Sequence, residues 1–409
     1  MIAGAAGRAS LGFILVTIFL DVLGIGVIIP VLPQLVQQLA AGTTENRAFT
    51  YGLLIGVYAL MQFLFSPVLG ALSDRFGRRP VLLGSTFGLS ADFLLTFFAP
   101  TLAWLYLARI LSGATSASIT TANAYLADVS RPEDRVKNFG FVGATFGLGF
   151  IIGPAFGGLL GRTSPRLPFL IAACLAGLNF LYGWFVLPES LPVEKRQAKL
   201  ELRWRPFSAW GTLRRYPPVF GLAGTVLCVG LAQQALQSVW VLYTSYRYGW
   251  DTLHTGLSLT AVGVLVAIVQ GGLVGRIATR LGEHRTLLMG LVLGTVSQLL
   301  YGLSTQGWMI YAVLILGAVG GVAGPVAQSL ITRQVAANEQ GSVQGALASL
   351  NSLTAIFAPP LATWLFGHFT RPGVAVVLPG ISFFMGACVL AVGTLIARRS
   401  LKLFAVDGR

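Results

Sequence analysis

Apolar residues fill long blocks of this chain, and polar residues gather in short clusters between them. Twelve blocks of roughly 20 residues can be read, each long enough to cross ~30 Å of hydrocarbon as a helix. They cover 11–32, 50–72, 80–99, 102–127, 138–160, 167–187, 218–244, 253–275, 286–304, 308–331, 341–366 and 374–397. Composition agrees with this pattern. The 409 residues are 55% hydrophobic and only 10% charged, with a mean hydropathy of +0.76. Soluble domains carry about 25% charged residues, so this chain cannot cover a water-facing surface. The pattern predicts an all-α membrane protein of twelve transmembrane helices.

A net charge of +14 raises the question of nucleic acid, but the placement of the charges answers it. With the N-terminus on the cytoplasmic side, 22 of the 28 Lys and Arg residues fall in cytoplasmic segments and five on the opposite side. Arg109 alone lies inside a block. That bias orients a membrane protein with both termini cytoplasmic and makes no case for nucleic acid. Cys174, Cys228 and Cys388 all fall inside blocks, without metal spacing, and read as small packing residues. The first block is too long for a removable signal peptide and lacks a cleavage-type end, so it is expected to stay in the membrane.

The only long hydrophilic stretch, 188–217, divides the chain into 1–187 and 218–409, with six blocks in each part. A shift of 205 positions lays GALSDRFGRR (from Gly70) over GRIATRLGEH (from Gly275), and Pro154 over Pro359. A repeat of this length predicts two related six-helix bundles joined by a cytoplasmic linker, with a site between them near the midplane. The linker sequence LRWRPFSAWGTLRRY suits either a surface-lying amphipathic element or a solvated connector.

Three stretches carry candidate mechanism. GALSDRFGRRPVLL, from Gly70 to Leu83, makes a tight charged loop after the second block. Gly70 and Gly77 permit the turn, and Pro80 suits a first helical turn. Arg75, Arg78 and Arg79 hold the loop at the membrane surface, and Asp74 suits the positive end of a helix dipole. LYLARILSGATSASITTANAYLAD, from Leu105 to Asp128, sets Arg109 above a face of small residues. GLGFIIGPAFGG, from Gly147 to Gly158, offers a smooth face through Gly149, Gly153 and Gly157, with Pro154 bending the helix.

The Gly70 loop resembles the signature between helices two and three of the major facilitator superfamily, and the other two stretches resemble its fourth- and fifth-helix motifs. Together with DVLGIGVIIPVLP, YALMQFLFSPVLG, SADFLLTFF, RVKNFGFVGATFGLGFIIGP and VWVLYTSYRYGW, they resemble the proton-coupled tetracycline efflux group within it. The resemblance implies functional positions at Asp21, Asp74, Arg78, Asp92, Arg109 and Asp128, joined by Gln62. Arg109 is implied in proton transfer, and the fifth-helix motif implies antiport. The group's ninth-helix acid falls on Gly294 here and its eighth-helix His on Val266. The second half therefore has no acid inside a block, which argues against a metal–tetracycline chelate as substrate.

Asp21 lies ten residues past the start of the first block and Asp92 twelve past the start of the third. Neither depth lets a carboxylate reach water, and an ionisable group at the bilayer centre costs about 2.5–3.5 kcal/mol on insertion scales. Loss of water disfavours a carboxylate's charged form, so such a group can cycle a proton between dry and wet states. Asp21, Asp92 and Arg109 are therefore the proton-coupling candidates. The competing reading for them is a fixed Asp–Arg pair, or an Asp bonded to helix backbone. Asp74, Asp128, Arg135 and the loop and glycine residues are candidates for conformational switching.

The substrate candidates are Gln62, Gln233, Gln237, Trp240 and Asn351. Gln233 and Gln237, four apart, share a helix face with Trp240 close to it. Interhelical hydrogen bonding is their alternative role. No Walker-type loop is present. The expectation is a monomeric proton-coupled antiporter in a bacterial inner membrane, exporting small amphipathic drugs, tetracycline-like or multidrug, by alternating access without a cofactor, metal or catalysis. A same-fold carrier of sugars or other metabolites, or a membrane protein that transports nothing, stands as the alternative.

Overall fold

A computed structural model describes residues 2–116, 118–197, 216–336 and 339–407. Most of the linker, 198–215, and with it the LRWRPFSAWGTLRRY segment apart from Tyr216, lies outside the described residues. The described chain is helical, as hydrocarbon demands, because a helix satisfies its backbone polar groups internally. The first half carries α1 (Ile2–Leu39), α2 (Thr44–Phe76), α3 (Arg78–Phe98), α4 (Leu102–Thr115), α5 (Ser118–Val129), α6 (Arg135–Gly161) and α7 (Leu167–Val186). The second carries α8 (Pro217–Tyr248), α9 (Thr252–Ile268), α10 (Val274–Leu281), α11 (Glu283–Leu303), α12 (Gly307–Gly320), α13 (Ala323–Arg333), α14 (Gln340–Thr370) and α15 (Ile381–Asp407).

Among the described residues, eleven stretches are long and apolar enough to cross a membrane. The twelfth expected span, 102–127, is divided. Ser116 leaves the helix at φ −76°, ψ 63° and ends α4. The sequence around it is rich in Ser and Thr, whose side chains compete for backbone carbonyls. Thr115 shows this by donating to the Leu111 carbonyl at 2.9 Å.

The faint sequence repeat becomes plain in the helix boundaries. α3 and α11 begin at residues 78 and 283, α4 and α12 at 102 and 307. α5 and α13 begin at 118 and 323, α6 and α14 at 135 and 340. Each pair is 205 apart, so chance is not the explanation. The tenth span is interrupted as well, at Gly321, which is 205 beyond Ser116.

Two compact units form. One comprises Met1–Ala40, Val57–Trp204 and Asp251–Thr260; the other comprises Ala41–Gly56, Arg205–Trp250 and Ala261–Arg409. Each therefore takes in a short segment from the opposite half of the sequence. In the first unit, α1 packs along α5, α6 and α7, and α3 along α4, α5 and α7. Phe13, Ile14, Ile18, Leu82 and Tyr125 make its core. In the second, α8 packs on α13, α14 and α15, and α11 on α12, α13 and α15, around Leu222, Leu287, Ala327 and Leu350. Lipid tails are as apolar as these side chains, so close contact between small residues carries the association. A methyl placed on Gly320 would lie 2.7 Å from the Gly294 nitrogen. Side chains such as Phe185, 82% exposed, face outward as lipid allows.

Candidate functional site

The first unit buries two acids and one base. Asp92 on α3 is wholly buried and Arg109 on α4 is 7% exposed. The Nη2 of Arg109 donates to both Asp92 oxygens at 2.7 Å, and Ser112, one turn further on α4, bonds the same carboxylate. Asp21 on α1 is 5% exposed. It bonds Ser118 at the start of α5, while its Oδ2 is buried without a hydrogen-bond partner.

Tyr58 feels the charges of Arg109, Asp92 and Asp21 together, so the three occupy one neighbourhood. Its hydroxyl lies 3.0 Å from Ser116 Oγ, which also accepts from Gln62 Nε2 at 2.9 Å. α2 reaches this point because Gly113 leaves room: a methyl there would lie 2.5 Å from the Tyr58 carbonyl oxygen. The break in the fourth span thus sits where Tyr58 and Gln62 converge beside the buried charges. Asp21, Asp92, Arg109 and Gln62 are brought together. Tyr58, Ser112, Ser116 and Ser118 are additions that sequence reading missed, since Ser and Tyr in an apolar block have no signature of their own.

At the end of α2 the charged loop is locked. Gly77 turns at φ +106°, a conformation that suits glycine, and a methyl there would collide with Glu189. Arg78 Nη1 bonds Asp74 at 2.6 Å and Ser73 at 3.0 Å, and its Nε reaches Asp128 at 3.3 Å. Asp74 therefore pairs with a side chain. The carboxylate at a helix N-terminus is Glu189, which accepts from the Arg78 and Arg79 amides at 2.8 and 3.2 Å. Glu189 follows α7, too far along the sequence for spacing to connect it with this loop. Arg79 donates to the Trp184 carbonyl at 2.6 Å, Arg75 lies over the Phe76 ring, and Arg135 reaches the Ala127 carbonyl at 3.5 Å. Gly70 has open space beside it.

The second half repeats this lock with its polarity reversed. Glu283 stands 205 beyond Arg78 and Arg333 stands 205 beyond Asp128. The two pair at 3.1 Å, with Ser329 donating to Glu283 at 3.2 Å. The shift that exposed the repeat could have found this pair, had charges of opposite sign been compared.

The glycine face of α6 lies on α1. Methyls on Gly149 and Gly153 would meet Val22 Cβ at 2.9 Å and the Leu23 carbonyl at 2.8 Å, and Pro154 touches Gly26. Of the substrate candidates in the second unit, Gln233, Gln237 and Asn351 are exposed. A methyl on Gly230 would lie 3.4 Å from Asn351 Oδ1, so Asn351 sits one turn from Gln233. Trp240 is separate from them. It is 1% exposed and packs edge-on to Tyr301 at 5.3 Å. Gln298 is a buried polar side chain of α11, donating to the Ala232 carbonyl at 3.2 Å, its Oε1 unpaired.

Membrane-length helices, an internal repeat and ionisable groups buried in one bundle define a polytopic carrier. The sequence profile of the Major Facilitator Superfamily matches residues 14–359 and again 271–403, and the chain belongs to that family. It is 39% identical to the class C tetracycline resistance protein of Escherichia coli, over 93% of this chain and 94% of that protein. Against the class B protein of Escherichia coli the identity is also 39%, over 88% of this chain and 89% of that one. The fold matches the crystal structure of a bacterial homologue of the human lysosomal transporter Spinster, with TM-score 0.80 and 16% identity, covering 97% and 98% of the two chains.

Proposed function

We propose that the chain is a proton-coupled antiporter that exports small amphipathic drugs across a bacterial cytoplasmic membrane, with both termini in the cytoplasm. Drug efflux rests on the tetracycline resistance relatives. The observation that carries proton coupling is the buried Asp21 Oδ2 without a partner, beside an Asp92 that already holds Arg109. A satisfied structural carboxylate has its lone pairs occupied; this one has a vacant acceptor that a proton fills.

In this reading a proton entering from outside binds in the Asp21–Asp92–Arg109 neighbourhood. Arg109 favours the charged form of whichever carboxylate it approaches, and opening toward the cytoplasm lets the proton leave to water. Each charge crossing 100 mV supplies ~2.3 kcal/mol, enough to drive export. Gln62, with Gln233, Gln237 and Asn351, offers neutral polar contacts to the substrate, while Trp240 supports them from within its core. The Gly77–Arg78–Asp128–Glu189 lock and the Gly149, Gly153 and Pro154 face serve the switch between states. The bundles 1–187 and 218–409 act as the moving bodies of a monomer that needs no cofactor or metal.

The test is drug-driven proton release from everted vesicles. Addition of a transported drug should dissipate an imposed proton gradient with the unmodified chain and fail to do so with Asp21→Asn. Drug uptake without any proton flux would favour a facilitated carrier of the same fold.

A further inference from the structure

The second half departs from its own repeat at the end of the eighth span. In the first half α2 runs unbroken to Phe76. Its counterpart is interrupted: α9 passes into a π-helical turn, Val269–Leu273, before α10 begins at Val274. Such a turn takes in an extra residue, so it rotates the face that follows, and it is frequent at functional sites. Gly271 and Gly272 within it have open space beside them.

The side chains have diverged with the backbone. By the shift of 205, Arg276 stands where the first half has Ala71, Thr279 where it has Asp74, and Arg280 where it has Arg75. The end of α2 is knitted into its unit, with Ala71 and Ser73 buried and Asp74 paired to Arg78. No residue of α10 is buried. This segment has gained a base and lost its acid. Glu283, the next acid along the chain, is engaged by Arg333 and Ser329. Among the described residues, the guanidinium groups of Arg276 and Arg280 have no hydrogen-bond or ion-pair partner.

Leu273, Arg276, Ile277, Arg280 and Leu281 line one hollow of about 500 Å³. Steps of three and four residues put them on one helix face, so two arginines are interleaved with three apolar side chains. Orientation in a membrane needs only the charges. It requires neither the apolar residues between them nor the loss of the acid. The Gly70 loop follows the second span and α10 the eighth, so both stand on one side of the membrane, cytoplasmic in the orientation proposed above.

We infer that this face of α10 is a binding site for an anionic phospholipid, with Arg276 and Arg280 holding the phosphate and Leu273 and Ile277 the first part of the acyl chains. An arginine fork matches the geometry of phosphate oxygens, and two unpaired forks one turn apart can share one headgroup. Leu273 lies on the membrane side of both, where the chains of that lipid run. The inference rests on the membrane fold and does not depend on proton coupling.

The test is fluorescence quenching by brominated phospholipid, on the full chain in phosphatidylcholine proteoliposomes with Cys174, Cys228 and Cys388 replaced by Ser. Gly275→Cys, where a side chain meets nothing within 4 Å, carries the fluorophore beside Arg276. Brominated phosphatidylglycerol should be preferred over brominated phosphatidylcholine by about 5-fold for each arginine, or roughly 25-fold in all. Arg276→Gln combined with Arg280→Gln should bring that preference close to unity. Arg398→Gln combined with Arg399→Gln, which removes the same charge from α15, should leave it nearly unchanged. Inorganic phosphate should not reverse the quenching at matched ionic strength, because it offers no chains to Leu273 and Ile277. Equal quenching by the two lipids, quenching by neither, a preference that survives the α10 variant, an equal loss in the α15 variant, or reversal by phosphate would each overturn the assignment. No transport is measured, so failure of the antiport reading leaves this result untouched.

Discussion

Asp21 and Asp92 differ in what they leave behind when neutralised, and this separates function from stability residue by residue. Asp92→Asn weakens the charge partner of a buried Arg109, and breaking a buried pair costs about 3–5 kcal/mol. Asp21→Asn keeps an oxygen for Ser118 and removes no ion pair, since Oδ2 has no partner. Its effect on stability should stay below about 1 kcal/mol. Melting followed by fluorescence-detected size exclusion should therefore show Asp21→Asn near the unmodified chain and Asp92→Asn well below it. Both variants should lose gradient-driven efflux, because an amide cannot cycle a proton. Gradient-driven efflux at the unmodified rate in Asp21→Asn would remove that residue from the relay. A lone acid in an apolar block was legible because its cost in lipid is large. The partners Tyr58, Ser116 and Ser118 were not, because a hydroxyl in a helix can satisfy itself on a backbone carbonyl and leaves no such mark.

At the level of elements, hydrophobic blocks located most helices, and the same blocks concealed the interruption at Ser116. Hydropathy counts residues, whereas the break depends on where Ser and Thr side chains turn. The charged loop was legible in outline, and its Arg78–Asp74 pairing lies in one short stretch. Glu189 was hidden because its contact with α3 exists only after α7 has crossed the membrane and returned. Glu189→Gln removes the negative charge from the start of α3 and the acceptor for the Arg79 amide. We expect a loss of about 1–2 kcal/mol, read as a lower melting temperature, with substrate affinity unchanged.

The cluster of Arg162, Asp251 and His254 calls for a different measurement. Asp251 lies outside the spans. Burial alone would push its carboxyl up, but the His254 amide and ring and the Arg162 guanidinium hold it well below the usual carboxylate range. A lowered folded value means the contribution is present above the ordinary ~3.9 and is lost only as pH falls through that lower value. Taking the protein from about pH 7.5 to about pH 5 should therefore leave this contribution to the melting temperature in place. Raising the salt to about 1 M, where the screening length falls to ~3 Å, should weaken it.

For the molecule as a whole, the asymmetry between halves bears on what is carried. Ionisable groups are buried in the first unit, and α11 of the second offers Gln298 with Gly294 one turn before it. The position where the resemblance implies an acid holds Gly294, half-buried, where a methyl would stand 3.4 Å from Leu390, an ordinary van der Waals contact. The glycine places no charge there, and the exposed Gln233, Gln237 and Asn351 hold none for a metal chelate. Affinity should then come from apolar burial with a few neutral hydrogen bonds. Uptake of tetracycline into everted vesicles should be weak and should change little when Mg²⁺ is removed, while neutral or weakly cationic hydrophobic drugs are taken up well. Gly294→Asp should lower the melting temperature, because the new carboxylate would stand beside the apolar Leu390 side chain. Robust Mg²⁺-dependent tetracycline uptake by the unmodified chain would show that the chelate is recognised by other groups and that the loss at position 294 does not set the substrate.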